Sequence, residues 1–163
     1  ILLQSRLKLA VQSSRQFLYK AEGWNLERRM WNLVKPIMQT QTYNKIRNFT
    51  DLETWQEGHK LAVKIYGITI LFPKSEMFGL TDQMRRCAVS ITSNIAEGFS
   101  RFSIKEKLQF FRISAGSLTE LQNQLIIAKD VGFIKTDNFE SLFAQSMTVL
   151  RLVNGLIRST KKL

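Results

Sequence analysis

The stretch Phe78 Gly79 Leu80 Thr81 Asp82 Gln83 Met84 Arg85 Arg86 Cys87 Ala88 Val89 Ser90 Ile91 Thr92 Ser93 Asn94 Ile95 Ala96 Glu97 Gly98 reads as one amphipathic helix. Met84, Ala88, Ile91 and Ile95 recur at intervals of four, three and four, the spacing that stacks side chains on one face of a helix. Thr81 or Asp82 offers a start, and Gly98 offers a C-terminal stop.

Three further segments carry the same period. Upstream, Leu52, Trp55, His59, Ala62, Tyr66 and Thr69 form one row and Leu61, Ile65, Ile68 and Phe72 its neighbour. Thr50 with Glu53 has capping-box spacing at the start, and Pro73 is expected to end the helix because it cannot donate the next backbone bond. Downstream, Ser103 with Glu106 predicts a second capping box, followed by Leu108, Phe111, Ala115, Leu118, Leu121, Leu125 and Ala128, up to Gly132. The last segment starts at Thr136 or Asp137 and stacks Phe139, Phe143, Ser146, Leu150, Val153 and Ile157, with Leu142, Val149 and Leu156 alongside. Paired rows make wide apolar faces that must bury against more than one neighbour, and the short links favour antiparallel packing. The expectation is an all-α protein, an antiparallel up-down four-helix bundle over residues 49–163 behind a basic N-terminal extension over residues 1–48.

Charge is unevenly spread over the 163 residues, whose net charge is +11. Residues 1–48 hold nine Lys or Arg against two Glu, and residues 49–163 hold fifteen against eleven acidic residues. A basic chain without a span of about 20 apolar residues points to an anionic partner, nucleic acid first and anionic lipid second. The bland alternative is that the basicity serves solubility. A single cysteine, Cys87, excludes an intramolecular disulfide and fits a cytoplasmic location. In the extension, Leu3, Leu7, Val11 and Leu18 could line a short helix before Gly23, Trp24, Trp31 and Pro36 break the pattern. Because the chain begins at Ile1, with Met30 and Met38 as its first methionines, a functional basic arm competes with an extension upstream of the true start.

Catalytic chemistry is thinly provided. One histidine, His59, and one cysteine cannot build a zinc cluster or a histidine-based triad within a chain, and no phosphate-cradling glycine loop occurs. No cofactor, metal or catalytic residue is expected. The densest polar cluster is Arg85, Arg86, Ser90, Ser93, Asn94, Glu97, Arg101 and Lys105. Arginine's planar fork suits phosphate, which makes Arg85, Arg86, Arg101, Lys105, Lys107 and Arg112 candidate nucleic-acid contacts. The structural alternative is local: Glu97 and Arg101 are four apart and can pair, while Ser93 and Asn94 can satisfy helix carbonyls. Gly67, Gly116 and Gly155 interrupt helical patterns, and Ala115, Gly116 and Ser117 predict a notch where a neighbouring helix or another subunit packs.

Phe78 to Ile91, then Ser93 Asn94 Ile95 Ala96 Glu97 Gly98 and Arg101, resemble the four-helix-bundle family of 23S rRNA intervening-sequence proteins. The likeness extends through Phe49, Asp51 Leu52 and Trp55 Gln56, then Ala115 Gly116 Ser117 Leu118, Glu120 Leu121, the turn from Leu125 to Ala128, and Gly155 Leu156 Ile157. The resemblance covers residues 49–163 in order and lends nothing to the extension. It implies an origin within insertions of bacterial large-subunit rRNA genes and assembly as homopentamers. A related branch contains the accessory variability protein of diversity-generating retroelements, which binds nucleic acid and a reverse transcriptase. The family usually carries proline where this chain has Thr92, so a milder kink is expected in the second helix. Two functions follow from these readings: a homo-oligomeric RNA- or DNA-binding adaptor without enzymatic activity, or a protein-interaction scaffold whose arginines form inter-subunit ion pairs.

Overall fold

A computed structural model describes residues 46–163 of the chain. The helix expected in the extension, and the question of its start, lie outside the described residues. Four α-helices account for most of the rest: α1, Glu53–Thr69; α2, Leu80–Ser100; α3, Ile104–Asp130; and α4, Thr136–Thr160. Each helix packs on the next and α1 closes the ring against α4, with no diagonal contact between helices. The product is the up-down bundle that the short links require, with no strand among the described residues.

The core is built from the rows read in the sequence. Leu61, Ile65, Met84, Ile91, Ile95, Leu118, Leu121, Leu125, Val149 and Val153 are fully buried. Each such side chain contributes about 1.5–3 kcal/mol on leaving water. In α1, however, the Leu61 and Ile65 row dominates. Tyr66 and His59, placed in the other row, are exposed, and His59 instead stacks flat on Trp55 with ring centroids 5.0 Å apart.

The helix ends depart from expectation in informative ways. Thr50 does not cap α1, because it lies inside a 3-10 turn, Phe49–Asp51, and Leu52 occupies the cap position. The Asp51 carboxylate fastens this turn by accepting bonds from the backbone N–H groups of Arg47 at 2.9 Å and Asn48 at 3.0 Å. Those two donors hold its pKa below the usual carboxylate range. Pro73 does not itself end α1 either. The helix stops at Thr69, whose hydroxyl donates back to the Ile65 carbonyl at 2.8 Å, and a tighter turn then tucks Phe72 against Phe133. Ser103 precedes α3 as predicted but makes no side-chain capping bond. At the other end of α3, Gly132 takes a φ of 80°, and the N–H groups of Phe133 and Ile134 return to the Ala128 carbonyl at 2.8 and 3.2 Å. That left-handed turn is natural for glycine and reverses the chain into α4.

Gly98 is not a helix stop: α2 runs through it to Ser100 without interruption at Thr92, whose hydroxyl bonds the Val89 carbonyl at 3.1 Å. Gly98 is buried where α2 meets α3. A Cβ there would lie 2.5 and 2.8 Å from the Phe111 ring and 3.1 Å from the Phe110 Cβ. Gly58 plays a similar part on α1, with Thr92 Cγ2 3.3 Å from its notional Cβ. By contrast, Gly67, Gly116 and Gly155 face open space, so the notch at Ala115, Gly116 and Ser117 receives no helix of its own chain. The helix-approach explanation belongs to Gly58 and Gly98.

Candidate nucleic-acid interface

The six cations singled out in the sequence have different fates. Arg85 is half-buried; its Nε donates to Thr69 Oγ1 at 2.9 Å, and its guanidinium lies over the Tyr66 ring, 5.1 Å from the centroid. It clamps α2 to α1. Arg86 is exposed, with Asp82 one turn away at 3.9 Å. Together Tyr66, Asp82, Arg85, Arg86, Val89 and Ser90 line a shallow, open depression of about 500 Å³. Arg101 pairs with Glu97 and spreads over the Phe110 ring at 4.8 Å, as the local alternative anticipated. Lys107 is half-buried and donates from Nζ to the Phe99 carbonyl at 2.8 Å, satisfying an acceptor at the end of α2. Lys105 and Arg112 are exposed and belong to none of the three ion pairs found among the described residues.

Some polar side chains of α2 bond within the bundle. Asn94 Nδ2 donates to the Ser90 carbonyl at 2.7 Å and lies 3.1 Å from Ser90 Oγ, which is itself 2.8 Å from Ser117 Oγ on α3. This chain of hydroxyls and amide ties α2 to α3 where the small residues Ser90 and Ser117 allow close approach. The buried Ser114 hydroxyl adds a bond to the Ile91 carbonyl at 3.0 Å. Ser93 and Glu97 remain on the outward side of α2. Cys87 is buried beneath Gln124, whose Nε2 lies 3.4 Å from Sγ, and burial pushes its pKa up to about 11. A thiol so placed is neutral and shielded.

Arg85 and Arg86 stand about 15 residues before Arg101 along one continuous helix, roughly 22 Å away, so the predicted set is not one patch. Exposed cations that the sequence reading did not single out lie on α4 in the same half of the bundle as Lys105 and Arg112. Gln122 on α3 donates to Ser146 Oγ at 3.1 Å and lies 3.3 Å from Met147 Sδ, which identifies the flanks where α3 and α4 meet. Arg151 and Arg158 follow Met147 by four and eleven residues, on the exposed side of α4. On α3, Lys105 and Arg112 lie outward from the row of Gln122 and Ala115. Each pair is seven residues apart, about 10 Å along its helix. All four are exposed. Only Arg151 has a side-chain bond, to Thr148 Oγ1 at 3.0 Å. The nearby carboxylates of α3, Glu106 and Glu120, sit on its other shoulder, where Glu120 reaches Gln124 at 3.3 Å.

The charge of the bundle is polarised along its length. Residues 46–60, 90–117 and 148–163, the half containing the α2–α3 turn, hold ten Lys or Arg against five acidic residues. Residues 61–89 and 118–147 hold six of each. The whole surplus of the described residues therefore lies in one half, where Arg158 of α4, followed by Lys161 and Lys162 just past its end, comes level with the start of α3. No group of three potential metal ligands occurs among the described residues, and no helix there is long and apolar enough to cross a membrane.

Fold and surface together define a small four-helix bundle with one basic end. Residues 50–155 match the model of the 23S rRNA-intervening sequence protein family, and the chain belongs to that family. Among solved structures it is similar to a protein from Bacteroides thetaiotaomicron, of unknown function and assigned to the S23 ribosomal protein family. The two share 21% identity with a TM-score of 0.60, over 64% of this chain and 97% of the other. At that identity the likeness concerns the fold. Comparison with curated proteins finds no match.

Proposed function

We propose that the protein is a non-enzymatic, homo-oligomeric adaptor that binds RNA through the basic half of its bundle. The observation that carries this reading is the set of exposed cations that α3 and the end of α4 place in that half: Lys105, Arg112, Arg151 and Arg158, continued by Lys161 and Lys162. Cations without carboxylate partners on rigid helices attract a phosphate backbone, release its counterions and lose affinity as salt rises. Arg85, Arg101 and Lys107 serve mainly to hold the bundle or its turn, and Arg86 has Asp82 beside it on its own helix. Self-association draws on α3, where Gly116 lies open beside the exposed Ile113 and Ala115 and Ser117 are half-buried. The rival scaffold reading needs arginines that reach across subunits, yet Arg86 and Arg101 have acidic neighbours within their own chain.

The deciding experiment is fluorescence anisotropy of a labelled structured RNA at two salt concentrations. Wild-type protein is expected to bind, and Arg151→Gln with Arg158→Gln to weaken binding at least tenfold with an unchanged melting temperature. Absence of binding at low salt rejects the proposal.

A further inference from the structure

Phe102 stands at the tip of the α2–α3 turn and is completely exposed, at 101% of its reference surface. Packing does not account for it. The turn around it is held from both sides: Arg101 is fixed by Glu97 and the Phe110 ring, and Lys107 reaches from α3 to the Phe99 carbonyl. An aromatic ring is thus presented outward from a fastened support. Lys105 follows it by three residues, and Arg158, Lys161 and Lys162 occupy the same end of the bundle.

We propose that Phe102 is a stacking post for an unpaired nucleobase, so that the protein prefers looped or single-stranded RNA to a continuous duplex. The proposal rests on the RNA-binding reading and adds the substrate class. A base flipped out of a loop offers a π face to the ring while its flanking phosphates meet the surrounding cations. In a continuous duplex every base is already stacked on its neighbours, and the ring has nothing to receive. Phenylalanine has no hydrogen-bonding group, so the contact tolerates any base. The charge around Phe102 favours a polyanion over an apolar protein segment as its occupant.

The test uses the full chain and two RNAs with equal numbers of phosphates, one a hairpin with an unpaired loop and one a blunt duplex. Wild type should favour the hairpin. Phe102→Leu keeps apolar bulk without a π face, and should lower hairpin affinity about tenfold, in the range of single-base stacking, while leaving duplex affinity unchanged. Phe102→Tyr should retain the preference. Phe102→Trp should add emission, above that of the three native tryptophans, that is quenched by the hairpin and not by the duplex. Hairpin binding within twofold of wild type for Phe102→Leu overturns the proposal, as does an unresponsive tryptophan. A change of oligomer size for Phe102→Leu, with RNA preference intact, assigns the ring to a protein contact and also overturns it. Failure of wild type to bind either RNA removes the underlying RNA-binding reading as well; binding of both RNAs without an effect at Phe102 removes only this one.

Discussion

Two glycines of α2 and α3 look alike in a sequence pattern and have opposite physical roles. At Gly98 a methyl group would press on the Phe111 ring at 2.5 Å, so Gly98→Ala forces a ring or a helix to move. Overpacking of that kind costs about 1–3 kcal/mol, and a lowered melting temperature checks it. Gly116 faces open space, where alanine should be neutral or stabilise the helix by up to about 1 kcal/mol. If Gly116→Ala instead lowers the mass seen by light scattering, the open notch is a subunit contact. Cys87 supplies a pH test at the same scale. Its pKa is raised from 9.0 to about 11 in the fold, so the unfolded thiol ionises first as pH rises. The folded protein then binds more protons than the unfolded chain, and stability falls between about pH 9 and 11. Denaturant melts should show less alkaline loss in Cys87→Ala than in wild type.

At the scale of elements, the α1–α2 pair and the α3–α4 pair use arginine differently. Arg85 bonds Thr69 and covers Tyr66 across the α1–α2 seam, so Arg85→Gln should lower the melting temperature, by the order of 1 kcal/mol in stability. Its effect on RNA affinity should be smaller than that of changes at Arg151 and Arg158, whose side chains make no bond between helices. Thermal melts and anisotropy on the same variants separate the two roles. Neighbouring arginines one residue apart, such as Arg85 and Arg86, leave a helix in different directions. Local spacing predicted the Glu97–Arg101 pair because its partners share one helix. It could not predict that Arg85 would bond Thr69 across a seam, since that depends on which sides of α1 and α2 pack together.

For the whole molecule, the headline charge is a poor guide. The described bundle carries sixteen basic and eleven acidic residues, and its entire excess lies in one half. A polarised field of this sort should give a steep fall of log affinity with log salt, shallower by roughly 0.7–0.9 for each phosphate that a variant no longer neutralises. Replacing Lys161 and Lys162 by Gln should therefore flatten the salt slope with little effect on melting, because both are exposed beyond the last helical turn. Self-association would repeat the basic end in each subunit and strengthen this dependence.

Four helices, their order, their short links and their core rows were legible in the sequence, because apolar spacing of three and four residues is a local property that burial must respect. So were the starts of α2 and α4 to within a few residues. The cap at Asp51, the passage of α2 through Gly98 and the openness of Gly116 were not, because each depends on atoms from other turns or another helix. The proposed interface was legible only in part: the sequence reading singled out Lys105 and Arg112 but not Arg151, Arg158, Lys161, Lys162 or Phe102. Sequence by itself determined that this chain forms a four-helix bundle and which residues enter its core. Tertiary structure alone decided which cations are occupied in holding helices and which stand exposed without an ionic partner, since a charge is available to a partner only where folding has left it without one.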